Sequence, residues 1–318
     1  MRLCRISSLR NNHLDIMRRK PIRYIFQTML LLLCASCAIT GDTFYRPLEN
    51  SVAKYAKMRG AGVVATGVNL ELVLDEPSAR QLFEKLEALP LFADSCSGNN
   101  SALQLANSYK NIAQIYSDKK FTFCLRNTDI KTVLHSLKES ANSESGMCAG
   151  DEFCIFGKTV SVYSETRKSL NEWPTSEADK KYTQSPLVPT FLVNPYLNFM
   201  IKGPDGVSVK YEKQKQNCFA ELTGYGEICT RSLYQCKNGF AFIKSMQTYG
   251  RGNADKILHT AIFRNYIAYK DVYLPTILAD ICGVYDKKFK IRITVIESFK
   301  SENLSDNIFK ISQKNRQH

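Results

Sequence analysis

Apolar positions recur along the chain with two periods, and each period predicts an element. Leu70, Leu72 and Leu74 alternate as a half-buried strand requires; Ala79, Leu82, Phe83 and Leu86 then keep the i, i+3, i+4, i+7 spacing of one helix face. At an offset of 51 residues Phe121, Phe123 and Leu125 alternate, and Ile130, Val133, Leu134 and Leu137 repeat the helical spacing. Ser78 and Asp129 stand at equivalent places just before the first apolar helical residue, where a side-chain oxygen can accept from unpaired backbone N–H groups. Each stretch therefore predicts a strand, a tight turn and an amphipathic helix. A duplicated unit and a coincidence of two strand–helix units in one small domain both remain open.

Residues 101–116 predict a further helix, with Leu103, Ala106, Ile112 and Ile115 as its apolar positions. Residues 153–156 and 159–163 read as a hairpin around Gly157 and Lys158, with Gly at the position a type II′ turn favours. Residues 61–164 thus read as an α+β domain with two strand–helix units. The pattern dissolves over 165–189, which is polar and carries Pro174, Pro186 and Pro189, so this stretch is the expected linker. Beyond it, strands are expected at 207–211, 239–243 and 289–295 and helices at 254–268 and 274–281. These make a second α+β domain over 190–300, followed by a polar tail over 301–318. The fold class expected is α+β: two small mixed α/β domains with disulfides after a cleaved signal sequence.

The amino-terminal 37 residues have a different character. A compact apolar run, residues 29–34, follows a basic stretch and precedes small residues, the order of an export leader. The run is shorter than the roughly 20 residues a spanning helix needs. Met1 or Met17 can be the start. Two cleavage readings compete. Ala35, Ser36 and Cys37 resemble the end of a bacterial lipobox, with Cys37 as the lipidated residue, although Cys34 stands where that pattern usually has Leu. The alternative is ordinary signal cleavage after Ala38. Residues 38–60 then form a tether.

Charge and cysteine content sharpen this picture. The net charge is +13, but the leader holds seven basic residues against Asp15 and carries +6, leaving +7 for the rest. A mildly basic body suits acidic lipid headgroups and polymers, and nucleic acid is an unlikely partner. After Cys37 come eight cysteines, Cys96, Cys124, Cys148, Cys154, Cys218, Cys229, Cys236 and Cys282, which can pair completely in an oxidising compartment. Four lie on each side of the linker, Cys148 with Cys154 is the favoured pair, and other connectivities stay open. After the leader the sequence has no C-x-x-C and few histidines, so no metal site is expected.

Candidate chemistry is sparse. The glycine-rich stretch 60–67 lacks a Walker Lys–Ser/Thr pair and precedes a strand, so it reads as a strand entry. His135 and His259 read as ordinary surface residues of expected helices. No nucleophile elbow or triad spacing is visible, so no catalytic residue and no cofactor is assigned, and enzyme activity is disfavoured. Lys288, Lys290 and Arg292 alternate with Phe289, Ile291 and Ile293, either as a solvated strand face or as a stripe for polyanions.

Residues 121–140, with Asn127, Asp129, Ile130, Val133, Leu134 and Leu137, resemble the small periplasmic domains at the amino-terminal ends of secretins and related secretion or pilus lipoproteins. That resemblance implies subunits packed side by side, a homo-oligomer ring among them, and contacts with other envelope proteins. The alternation legible in the sequence predicts no long set of strands for a multimeric outer-membrane barrel, so the expected role is that of an accessory or ring subunit. Together these readings predict an exported envelope lipoprotein, held at the outer membrane or periplasmic face by its lipid anchor, acting by protein–protein contacts in a secretion, pilus or conjugation assembly. A secreted effector, toxin or hydrolase and a surface adhesin or polyanion-binding module are the alternatives.

Overall fold

β-branched and aromatic residues fill the long apolar runs from Gly62 onward, and most of these runs are strands. The computed structural model describes residues 46–54, 62–126, 129–140, 148–174, 207–212, 217–223, 228–250 and 253–316. Its strands are β1 (Gly62–Asp75), β2 (Tyr116–Arg126), β3 (Asp129–Glu139), β4 (Glu152–Phe156), β5 (Thr159–Ser164), β6 (Ser169–Pro174), β7 (Val207–Glu212), β8 (Asn217–Thr223), β9 (Ile228–Lys237), β10 (Phe240–Gly250), β11 (Asn253–Tyr269), β12 (Val272–Tyr285) and β13 (Lys288–Glu302). The helices are α1 (46–54), α2 (Glu76–Glu87), α3 (Asn100–Ser108) and α4 (Gln313–Arg316). Among the described residues no helix is long and apolar enough to cross a membrane.

All thirteen strands among the described residues belong to one sheet, in the order β6-β5-β4-β3-β2-β1-β13-β12-β11-β10-β9-β8-β7. The chain begins at the centre, steps outward to β6, re-enters at β7 on the opposite edge and works inward until β13 lies beside β1. β1 and β13 pair antiparallel from Gly62 opposite Glu302 to Asp75 opposite Lys288. This single sheet overturns the expected fold class of two small mixed α/β domains. The apolar strands of the two sequence halves complete one another: a central strand needs a neighbour on each side, and β1 finds one of its neighbours about 230 residues away.

The first strand–helix unit forms as its spacing predicts. Asp75, rather than Ser78, caps α2, its Oδ1 accepting from the Ser78 N–H at 2.9 Å, with Pro77 in the first turn. Ala79, Leu82 and Leu86 turn onto the sheet. The second unit does not form, because residues 129–139 are strand β3, paired to β2. Ile130, Thr132 and Leu134 are buried and alternate, so Ile130 and Leu134 also fit a period of two, with Val133 on the opposite face. The β-branched Ile130, Thr132 and Val133 then favour the strand. Two other expected helices, 254–268 and 274–281, are also strands, lying within β11 and β12. Both carry β-branched residues, the first with Phe263 and Tyr266 besides, and Pro275, which a helix interior rejects, sits where the ladder breaks at Asn265 (φ 58°).

The expected disulfides are absent among the described cysteines: none joins Cys96, Cys124, Cys148, Cys154, Cys236 or Cys282. Cys124 and Cys154 share one cross-strand row, but Lys131 stands between them. Two strand spacings, about 9–10 Å, exceed the ~7 Å a disulfide spans between Cα atoms. Of the favoured pair, Cys154 packs in the core with Tyr163 and Ile311, whereas the Cys148 thiol bonds Asp151 in the preceding turn at 3.6 Å. Residues 1–45, with Cys37, and the side chains of Cys218 and Cys229 lie outside the described residues.

Past β13 the chain crosses the sheet beside β2, β3 and β4. Arg126 bonds the Leu304 carbonyl at 2.8 Å and Asp306 at 2.7 Å; Glu152 accepts from the Ser312 N–H at 3.0 Å and hydroxyl at 2.6 Å. Phe309 and Ile311 are buried beneath this segment.

Candidate functional site

Alternation along β1 sends its side chains to two faces, and both faces are buried. On one, Leu70, Leu72 and Leu74 pack with Ile291, Ile293 and Val295 of β13 under α2 and α3. The other face carries a polar band. Register places Ser117, Glu71, Arg292 and Asp280 in one row across β2, β1, β13 and β12, and Lys119, Asn69 and Thr294 in the next. Side chains opposite one another in an antiparallel pair share a face, so these residues converge.

Glu71 is the hub. Its carboxylate receives Lys119 at 3.0 Å, Lys290 at 3.1 Å and Arg292 at 3.3 Å. Burial alone pushes the Glu71 carboxyl up, but Lys119, Arg292 and Lys290 outweigh it and hold the group down at about 2. Burial depresses the Lys119 ammonium against the pull of Glu71. It works against the Arg292 charge too, which Asp280 and Glu71 restore and raise. Asp280 also meets His259 Nε2 at 3.3 Å. Burial of the neighbouring Cys282 thiol pushes it up to about 11, which keeps it protonated and unreactive at neutral pH.

Three cations, Lys119, Lys290 and Arg292, therefore face two carboxylates, leaving one positive charge uncompensated among these five side chains. Three buried polar atoms beside them have no hydrogen-bond partner: Asn69 Oδ1, Ser117 Oγ and Asp280 Oδ1. The band opens through Lys290 and His259, whose side chains are 39% and 36% exposed. Farther along the same face the rows turn apolar, with Gly67 between Phe121 and Ile296, and Leu278 beside Phe263. A Cβ on Gly67 would come within 2.5 Å of the Val295 carbonyl and 3.0 Å of the Phe121 ring, so only glycine lets that ring lie across the strand.

The stripe read from the sequence enters this site in part. Lys290 and Arg292 bond Glu71, while Lys288 stands opposite Asp75 at the end of β1. β13 is a central strand, so its basic residues do not guard an edge. Sequence reading missed Glu71, Lys119, Asn69, Ser117 and Asp280, and took His259 for a helix-surface residue. Glu71 sits among Leu70, Leu72 and Leu74, where the polar positions of an alternating strand normally meet water. The one visible signal is Asp280, which interrupts the apolar run 277–281. His135, the other histidine considered, bonds Thr122 across β2 and β3 at 2.6 Å on an exposed surface. Among the described residues no three His, Cys, Asp or Glu side chains gather as a metal site.

No family model matches the sequence, and no curated protein matches it. Solved structures similar to it include a LolA superfamily protein from Nitrosomonas europaea (12% identity, 82% of this chain and 96% of that one, TM-score 0.44). Others are a DUF1329 family protein from Desulfovibrio piger (8%, 83% and 97%, 0.45) and an uncharacterized conserved protein from Thermus thermophilus (8%, 84% and 94%, 0.29). None of the three is a secretin amino-terminal domain, and the β2–β3 hairpin replaces the strand–helix unit on which that resemblance rested. At identities of 12% or less and TM-scores below 0.5, these likenesses carry no function over to this chain.

Proposed function

We propose that this chain is an exported protein of the cell envelope that works by binding, with the band face holding an amphiphile: a lipid, or the lipid-bearing part of a partner. The observation that carries this reading is the polar, net-cationic band set into an otherwise apolar sheet face. A buried network of this kind gains little stability for its fold, since desolvation offsets much of the attraction between charges, so its presence at the sheet centre points to use. The apolar rows beside it suit a hydrocarbon segment and the charged rows suit a headgroup.

The leader supports an exported address, and Cys37 is proposed as the lipidated residue that tethers the chain to the membrane. Contacts with a secretion, pilus or conjugation assembly are proposed on that address alone, now that the secretin resemblance is gone.

Native mass spectrometry of the protein recovered from a membrane fraction, before and after organic extraction, tests the binding. An extractable adduct of lipid mass is expected, and a bare chain on both sides of the extraction overturns the reading. The same spectra test the tether: a mature chain starting at Cys37 with an acylglyceryl group is expected. A lipid-free chain beginning near Ile39 removes the tether and favours release from the cell.

A further inference from the structure

We infer that the polar band takes an anion that carries hydroxyl groups, such as a polyol or sugar phosphate, and this rests on the binding role proposed above. Two observations carry it. The first is charge: Lys119, Lys290 and Arg292 share Glu71, and Asp280 with His259 beside them does not cancel the third cation. A net positive charge in a low-dielectric site is costly, and an anion entering at Lys290 removes that cost. Phosphate or carboxylate suits these donors, whose hydrogen bonds are then charge-assisted.

The second observation selects among anions. Asn69, Ser117 and Asp280 are 5%, 2% and 8% exposed, and each holds one buried oxygen without a partner. Two of these oxygens are acceptors only, so an anion by itself leaves them unmet and repels Asp280. A ligand whose hydroxyls stand next to its anionic group satisfies both requirements: hydroxyls donate to Asn69 Oδ1 and Asp280 Oδ1, and Ser117 Oγ serves as donor or acceptor. Fatty-acid carboxylates meet only the first, and inorganic phosphate has hydroxyls on the anionic group itself but none standing beside it. The same chemistry exists as a free polyol phosphate and as the headgroup of a polyol phospholipid.

Calorimetric titration of the purified mature chain at constant ionic strength tests the inference with glycerol phosphate, inorganic phosphate and glycerol. A parallel arm measures sedimentation with phosphatidylcholine vesicles containing either phosphatidylglycerol or phosphatidic acid. Glycerol phosphate is expected to bind at least about tenfold tighter than inorganic phosphate, the weight of one charge-assisted hydrogen bond, and glycerol not at all. Lys290→Gln, at the partly exposed entrance, weakens binding of both anions about tenfold. Ser117→Ala together with Asn69→Leu weakens glycerol phosphate binding more than inorganic phosphate binding and reduces the preference to what Asp280 alone supports. Saturable binding of the soluble probe assigns a free ligand as the source. Binding to phosphatidylglycerol vesicles, but not to phosphatidic acid vesicles, assigns a headgroup. Equal affinity for the two soluble anions, or no binding in either arm, overturns the inference. The envelope reading fails separately, if the chain is recovered lipid-free in the medium while glycerol phosphate still binds.

Discussion

The two faces of β1 are equally dry and chemically opposite. Leu70, Leu72 and Leu74 meet α2 and α3 in a layer of aliphatic side chains, while one residue along, Asn69 and Glu71 meet three cations, a second carboxylate and three unsatisfied polar atoms. The first face gains free energy from every apolar group removed from water. The second has its charges stripped of water and only partly repaid. A strand therefore holds the sheet together with one side and presents chemistry with the other. The face that costs stability is the one a function has to explain.

Single substitutions separate the faces by what they leave behind. The largest effect is expected for Glu71→Ala, which strands Lys119 and Arg292 without their shared carboxylate: on the order of 4 kcal/mol, read from a urea midpoint. Leu72→Ala opens a cavity under α2 and is expected to cost about 3 kcal/mol in the same assay, without altering ligand affinity.

Acid sharpens the contrast further. The folded Glu71 carboxyl titrates at about 2, below its ordinary 4.5, so its contribution is complete above the unfolded value. That contribution is lost as pH falls from about 4.5 toward 2. Over that window the wild-type chain should lose more stability than Glu71→Gln, while Leu72→Ala runs parallel to the wild type. The smallest effect belongs to the cap. Asp75→Ala removes the acceptor for the Ser78 N–H at the start of α2 and should cost about 1 kcal/mol, leaving the band unchanged.

The sequence made one half of this comparison legible. Helix α2 follows from Ala79, Leu82 and Leu86 because its other residues are good helix formers, with Pro77 in its first turn, and nothing competes with the 3.6 period. The matching pattern at Ile130, Val133, Leu134 and Leu137 misled, since Ile130 and Leu134 also alternate through buried Thr132 and β-branching decided in favour of the strand. Pairing between β1 and β13 was out of reach, because no local pattern encodes a partner about 230 residues away. That missing neighbour explains the errors at the site. An alternating strand with one face in water gives Glu71 to solvent; the same strand at the centre of a doubly covered sheet buries it. Lys290 and Arg292 were noticed for their alternation, but their shared carboxylate lies on another strand.

The most direct test replaces the charges together. In the variant Glu71→Leu, Lys119→Met, Asp280→Leu, Arg292→Met, only the partly exposed Lys290 and His259 of the band are left unchanged. Its urea midpoint is then measured with and without glycerol phosphate. If the band serves a ligand, the variant should be at least as stable as the wild type, and glycerol phosphate should raise the wild-type midpoint alone. A variant that loses several kcal/mol, or one whose midpoint glycerol phosphate still raises, would show that the band is structural and that the ligand sits elsewhere.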